Sequence, residues 1–195
     1  MDQTLKQALG EAQEAINEVQ RQPAALRRLG ELQEKSALQA AMLVSKAGWG
    51  EHVSLFLEVP RLAEAFRRAP GQVLAQADLL AGGPGVPEHG GVELMRVMDL
   101  AAGAPDDVLM PMAVHSAIVK YGFFGERSIA VALAVARAGA ISTGFDPRGL
   151  CVPEGYYTRN VQGYMDAIVG VDSLVEQAHA WKMGAGIALD LISMS

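Results

Sequence analysis

A single cysteine, Cys151, stands in 195 residues, so no internal disulfide can staple the fold. Positive charge is also scarce: 16 Lys and Arg against 22 Asp and Glu leave a net charge of −6. A nucleic-acid binder needs a basic face to displace phosphate counterions, and this balance argues against that class of partner. The longest wholly apolar run, Ile129 to Ala136, is far short of the ~20 residues that cross a bilayer, so it reads as core and membrane insertion is not expected. No charged leader with an apolar core and a small-residue cleavage site opens the sequence. With the lone thiol, this makes the cytoplasm the expected compartment. A Gly-x-Gly-x-x-Gly after a strand is missing, and so is a Gly-Lys-Ser or Gly-Lys-Thr after the glycine-rich stretch, so no nucleotide loop is read here. His52, His89 and His179 have no partner at metal-ligand spacing, and neither a metal nor a cofactor is expected.

What is present is apolar residues at helical spacing, in a chain that is 50% hydrophobic. The expected fold is all-α: a single-domain helical bundle, with an amphipathic N-terminal helix over 1–22 and the main helical domain over 23–195. Leu5, Leu9, Ala12, Ile16 and Val19 form one stripe. Thr4 with Gln7 spells a capping box for that helix, and Pro23 ends it or starts the next. Over 24–47, Leu26, Leu29, Leu32 and Leu38 are expected to bury one side while Arg27, Arg28, Glu31, Glu34 and Lys35 stay wet. Gly48-Trp49-Gly50 breaks the pattern, and Pro60 and Pro70 mark further boundaries. Val73 to Leu80 is a short helix. The Gly/Pro-rich segment 82–91 reads as an exposed loop. Helices follow over Val92 to Ala101, Pro111 to Lys120 and Ser128 to Ala138, the last the most buried. Ser173 with Glu176 spells a second capping box, opening a final helix in which Gly184 and Gly186 invite a close helix contact.

Several conspicuous residues have plain structural readings. His115, on an apolar helix, reads as a satisfied structural histidine. Cys151, between Leu150 and Val152, reads as a buried, inert thiol. Asp146-Pro147-Arg148-Gly149 is a turn by composition. Tyr156, Tyr157 and Tyr164 read as an amphipathic cover over the core.

The stretch from Val114 to Ala132 reads as two helices joined by a tight turn, and there the sequence resembles a divergent bacterial Fic (Fic/Doc-like) domain. Enzymes of that family carry His-Pro-Phe-x-(Asp/Glu)-Gly-Asn-Gly-Arg-x-x-Arg between two helices and move AMP or another phosphate-linked group onto a protein hydroxyl. The resemblance places Tyr121 at the histidine, Gly122 at the proline and Phe123 at the phenylalanine. Gly125 falls at the metal-binding acid, Glu126 at the first glycine, Arg127 at the asparagine, Ser128 at the second glycine, and Ile129 and Ala132 at the two arginines. Only Phe123 is kept. Tyrosine, with an ordinary pKa near ~10, is a poor general base at neutral pH. Gly125 offers no carboxylate to a magnesium ion, and Ile129 and Ala132 cannot stabilise phosphate charge.

Ser45-Lys46-Ala47-Gly48-Trp49-Gly50 is similar to the family's inhibitory pattern (Ser/Thr)-x-x-x-Glu-(Gly/Asn), with Trp49 in place of the glutamate that pairs with the second arginine. That arginine's position is Ala132, so an ion pair is replaced by a large and a small apolar residue, and Trp49 is expected near Ala132. Ala136-Arg137-Ala138-Gly139 and Tyr156-Tyr157-x-x-Asn160-x-x-x-Tyr164 extend the resemblance downstream. Its implication is a catalytically inactive module that works through a protein partner, with a second copy of the chain as one candidate. Two faces are expected to carry that role: the stripe of the N-terminal helix, and the former cleft lined by Tyr121, Phe124, Glu126 and Arg127. A residual nucleotide or small-ligand sensor using Arg127 and Lys120 is the alternative, and an atypical AMP transferase the weaker one.

Overall fold

The computed structural model describes residues 2–103 and 107–194. Among these the secondary structure is helical, with no strand. The helices are α1 (Gln3–Arg21), α2 (Pro23–Arg27), α3 (Leu29–Lys46), α4 (Val53–Leu57), α5 (Val59–Ala65), α6 (Pro70–Leu80), α7 (Gly91–Ala101), α8 (Met110–Tyr121), α9 (Ser128–Thr143), α10 (Glu154–Tyr157), α11 (Val161–Ile168) and α12 (Ser173–Ser193). A 3-10 turn, Gly125–Arg127, links α8 to α9.

Helix α9 is the axis of the molecule. Its run of Ala, Val and Leu offers no polar face, so it is stable only when surrounded. It packs against α4, α5, α6 and α8, and every residue from Ala130 to Ala140 is buried. Gly139 allows the approach of Phe66 and Pro111: a β-carbon there would lie 3.1 Å from Phe66 Cζ and 3.4 Å from Pro111 Cβ. A second apolar cluster lies between α1 and α12. There Ala8, Leu9, Ala12, Ile16 and Val19 share a core with Trp181 and Phe145. The stripe of α1 is therefore covered by its own chain, and Lys182 Nζ reaches Glu11 Oε2 across that contact at 2.8 Å.

Pro23 and Pro70 each sit in the first turn of a new helix, where a missing N–H costs nothing. The 82–91 segment is irregular as far as Gly90 and joins α6 to α7, which Gly91 opens. Both capping boxes are corrected. Helix α1 starts at Gln3 and Asp2 is its N-cap, so Thr4 already lies inside the helix and Gln7 Nε2 donates to Glu11 Oε1. In α12 the N-cap is Asp172, whose carbonyl accepts from the Val175 and Glu176 amides, while the Glu176 carboxylate is taken by the Tyr156 hydroxyl.

The single helix expected over 24–47 is split at Arg28, where φ is −123°. The break turns Leu26 outward, to 68% exposure, and α3 then buries a small-residue face of Ser36, Ala37, Ala40, Ala41 and Val44, leaving Leu38 at 43%. Leu32 is buried as expected. Of the two glycines in α12 only Gly184 meets a neighbour: a β-carbon there would be 2.6 Å from Pro153 N, and Val152 N–H donates to the Gly184 carbonyl. Gly186 faces open space.

Tyr157 and Tyr164 are core residues, not a cover; their ring centroids are 4.8 Å apart. Behind them His115 is 1% exposed, with Nε2 2.9 Å from the Tyr164 hydroxyl. Burial drives this imidazole down to about 3, with the Gln177 side chain opposing, so it is neutral at physiological pH. Cys151 is fully buried, and burial, helped by the neighbouring Asp146 carboxylate, pushes its thiol well up. The turn at 146–149 forms, closed by Gly149 N–H donating to the Asp146 carbonyl at 2.9 Å. Its Asp146 side chain is buried and accepts from Gln20 Nε2 and the Cys151 amide.

Candidate functional site at the α8–α9 turn

Helix α8 ends because Gly122 enters the left-handed region at φ 60°, a conformation that suits glycine at this position after a helix. The chain then drops Phe123 and Phe124 into the core, each 1% exposed. Ser128 Oγ accepts from the Phe124 amide at 3.0 Å, which ties the turn to the first residue of α9. Two helices joined by a tight turn are thus present where the sequence suggests them.

The loop after α6 closes over this turn. Glu88 N–H donates to the Phe123 carbonyl at 2.8 Å, and a β-carbon on Gly125 would lie 2.5 Å from Glu88 Oε1. Arg127 Nε donates to Asp78 Oδ1 at 2.7 Å, and its Nη2 lies 3.5 Å from Glu88 Oε1. Asp78 is fully buried, and its other oxygen accepts from the Gly85 amide at 2.9 Å. The hydrogen bond that Arg127 donates to Asp78 raises the guanidinium above its ordinary value, so its charge is permanent and already compensated. Gly83 is where the loop backbone passes closest: a β-carbon there would strike both Asp78 and Arg127.

The residues singled out from sequence therefore divide. Tyr121 is 41% exposed and stacks on Phe123 at 5.6 Å between centroids, with Lys120 Nζ 5.7 Å from its ring. Glu126 is exposed. Arg127 is close by but engaged with its two carboxylates, and Phe124 is interior and offers nothing to a partner. Ile129 is half-buried and Ala132 fully buried. Ser45 lies in the last turn of α3, and its carbonyl accepts from the Gly48 amide. Gly50 has φ 93°, and the Trp49 carbonyl meets His52 Nε2 at 2.8 Å. Trp49 and Ala132 belong to the same apolar cluster, but the ring that Trp49 meets is Tyr164, 5.2 Å away.

Sequence reasoning missed Asp78, the buried partner of Arg127. A lone carboxylate ahead of Leu79 and Leu80 in an apolar helix is the signal that marks it. It also missed a buried ion pair between α9 and α10. Arg137 Nη1 lies 3.7 Å from Glu154 Oε2, both side chains are nearly inaccessible, and Arg137 Nη2 donates to Ser36 Oγ and the Gly149 carbonyl. Burial raises the Glu154 carboxyl while Arg137 opposes that shift. Among the described residues no cluster of three or more His, Cys, Asp or Glu is arranged to hold a metal ion, and no helix is long and apolar enough to cross a membrane. No family model, curated protein or solved structure matches this chain.

Proposed function

We propose that this chain is a Fic-like helical domain without transfer chemistry, serving as a protein-interaction or regulatory module through the surface of the α8–α9 turn. The carrying observation is the internal compensation of Arg127, the guanidinium at the turn, by Asp78 at 2.7 Å and Glu88 at 3.5 Å. Glu126 adds a further exposed carboxylate. The turn therefore carries more negative than positive charge, and a phosphate approaching it would have to displace an internal pair while meeting like charge. This weighs against nucleotide sensing as well as transfer. Tyr121, Glu126 and Lys120 are exposed groups through which a partner would be read. Calorimetry with ATP, CTP and UDP-sugars should show no binding tighter than about 1 mM. Partners captured by the full chain should be lost on Tyr121→Ala, and retention of every partner by that variant would remove the turn as the interaction surface.

A further inference from the structure

A second concavity lies away from this turn, between α10, α11 and α12, and does not depend on the reading just given. It has a volume of about 230 Å³ and is walled by Tyr156, Tyr157, Tyr164, Asn160, Glu176 and Gln177. The three tyrosine rings converge on it, Tyr157 on Tyr164 at 4.8 Å and Tyr156 on Tyr157 at 6.1 Å. Trp49 backs Tyr164. The Glu176 carboxylate is fixed by the Tyr156 hydroxyl at 2.6 Å, and among the described residues no lysine or arginine lines the cavity. Among the described residues the buried Tyr157 hydroxyl has no hydrogen-bond partner, although its residue forms part of this wall. The other nearby carboxylate, Glu154, faces Arg137, so among the described residues Glu176 supplies the charge that no cation pairs.

We propose that this cavity binds a small organic ammonium ion. Aromatic faces attract a cation through their quadrupole, most strongly where water is partly excluded, and a fixed carboxylate beside them adds a direct charge partner. Phosphate and carboxylate ligands find no cation among the lining residues. The amide groups of Asn160 and Gln177 suit a hydroxyl or N–H on the same molecule. The volume fits a ligand of choline or ethanolamine size and not a nucleotide.

The test is calorimetry on the full chain with choline and ethanolamine, using the uncharged carbon analogue of choline and acetate as controls, together with amide chemical-shift mapping. Saturable ammonium binding at or below about 1 mM is expected, with the uncharged analogue at least about tenfold weaker. Shifts should centre on α10 to α12. Glu176→Gln should weaken ammonium binding about tenfold, and Ala167→Phe, which fills the cavity and leaves the charge, should abolish it. No saturable binding, equal affinity for the uncharged analogue, or shifts centred elsewhere would overturn the proposal. Should Glu176→Gln fail to fold, the charge comparison and the mapping on the parent chain still decide.

Discussion

Asp78 and Arg137 are held in opposite ways, and each makes a distinct prediction at the scale of the single residue. Asp78 holds Arg127 and the Gly85 amide from a fully buried position, so Asp78→Ala leaves two donors without their acceptor. It should destabilise the fold by about 1–3 kcal/mol in urea unfolding and free the 82–91 loop from the turn. Among the described residues Arg137 is the only cation facing the buried Glu154, so Arg137→Met strands a carboxylate in the core. A loss of about 3–5 kcal/mol is expected at neutral pH. Because burial already raises the Glu154 carboxyl, the stranded group takes up a proton as the solution is acidified, and the penalty should shrink toward pH 4.5.

His115 works in the opposite direction. Its folded value, about 3, lies below the ordinary 6.5, so the stability it contributes is present above pH 6.5 and lost as pH falls toward 3. Thermal unfolding followed from pH 7 to 5 should show a falling Tm, and His115→Gln should flatten that slope. A slope unchanged by the substitution would mean that His115 is not the group responsible.

Among the elements, α12 offers the cleanest comparison, because two glycines two residues apart face different surroundings. Gly184→Ala would force a β-carbon against the backbone of Val152 and Pro153, and should cost about 1–3 kcal/mol. Gly186→Ala meets nothing and removes a helix-interior glycine, so it should be neutral or stabilising by up to about 1 kcal/mol. Denaturant midpoints of the two variants check both signs. The sequence pattern alone assigns the two glycines the same role, since periodicity cannot say which side of a helix meets a neighbour's backbone. Boundaries set by proline were legible, as at Pro23 and Pro70, because the missing N–H acts locally. The polar N-caps were misread because two capping residues stand close to each start, Asp2 and Thr4 at α1 and Asp172 and Ser173 at α12, and only the backbone path chooses between them. Tyr157 and Tyr164 were misjudged for a related reason: their hydroxyls suggest a wet edge, but the Tyr164 hydroxyl meets the imidazole of His115 in the interior.

For the whole molecule, the all-helical character followed from apolar spacing, and the depth of α9 from its lack of a polar face. The pairing of Asp78, Glu88 and Arg127 was not legible, since it joins residues from α6, a Gly/Pro-rich loop and a 3-10 turn that no local pattern relates. It is also what the functional account rests on: the turn is present, and its guanidinium, Arg127, is already held by the chain's own acids. The measurement that tests this most directly is transfer of label from labelled ATP, CTP or UDP-sugar, with magnesium, to the chain or to a captured partner. The account predicts no transfer by the parent chain. Saturable labelling that disappears in Tyr121→Phe would contradict it and make the turn a working active site.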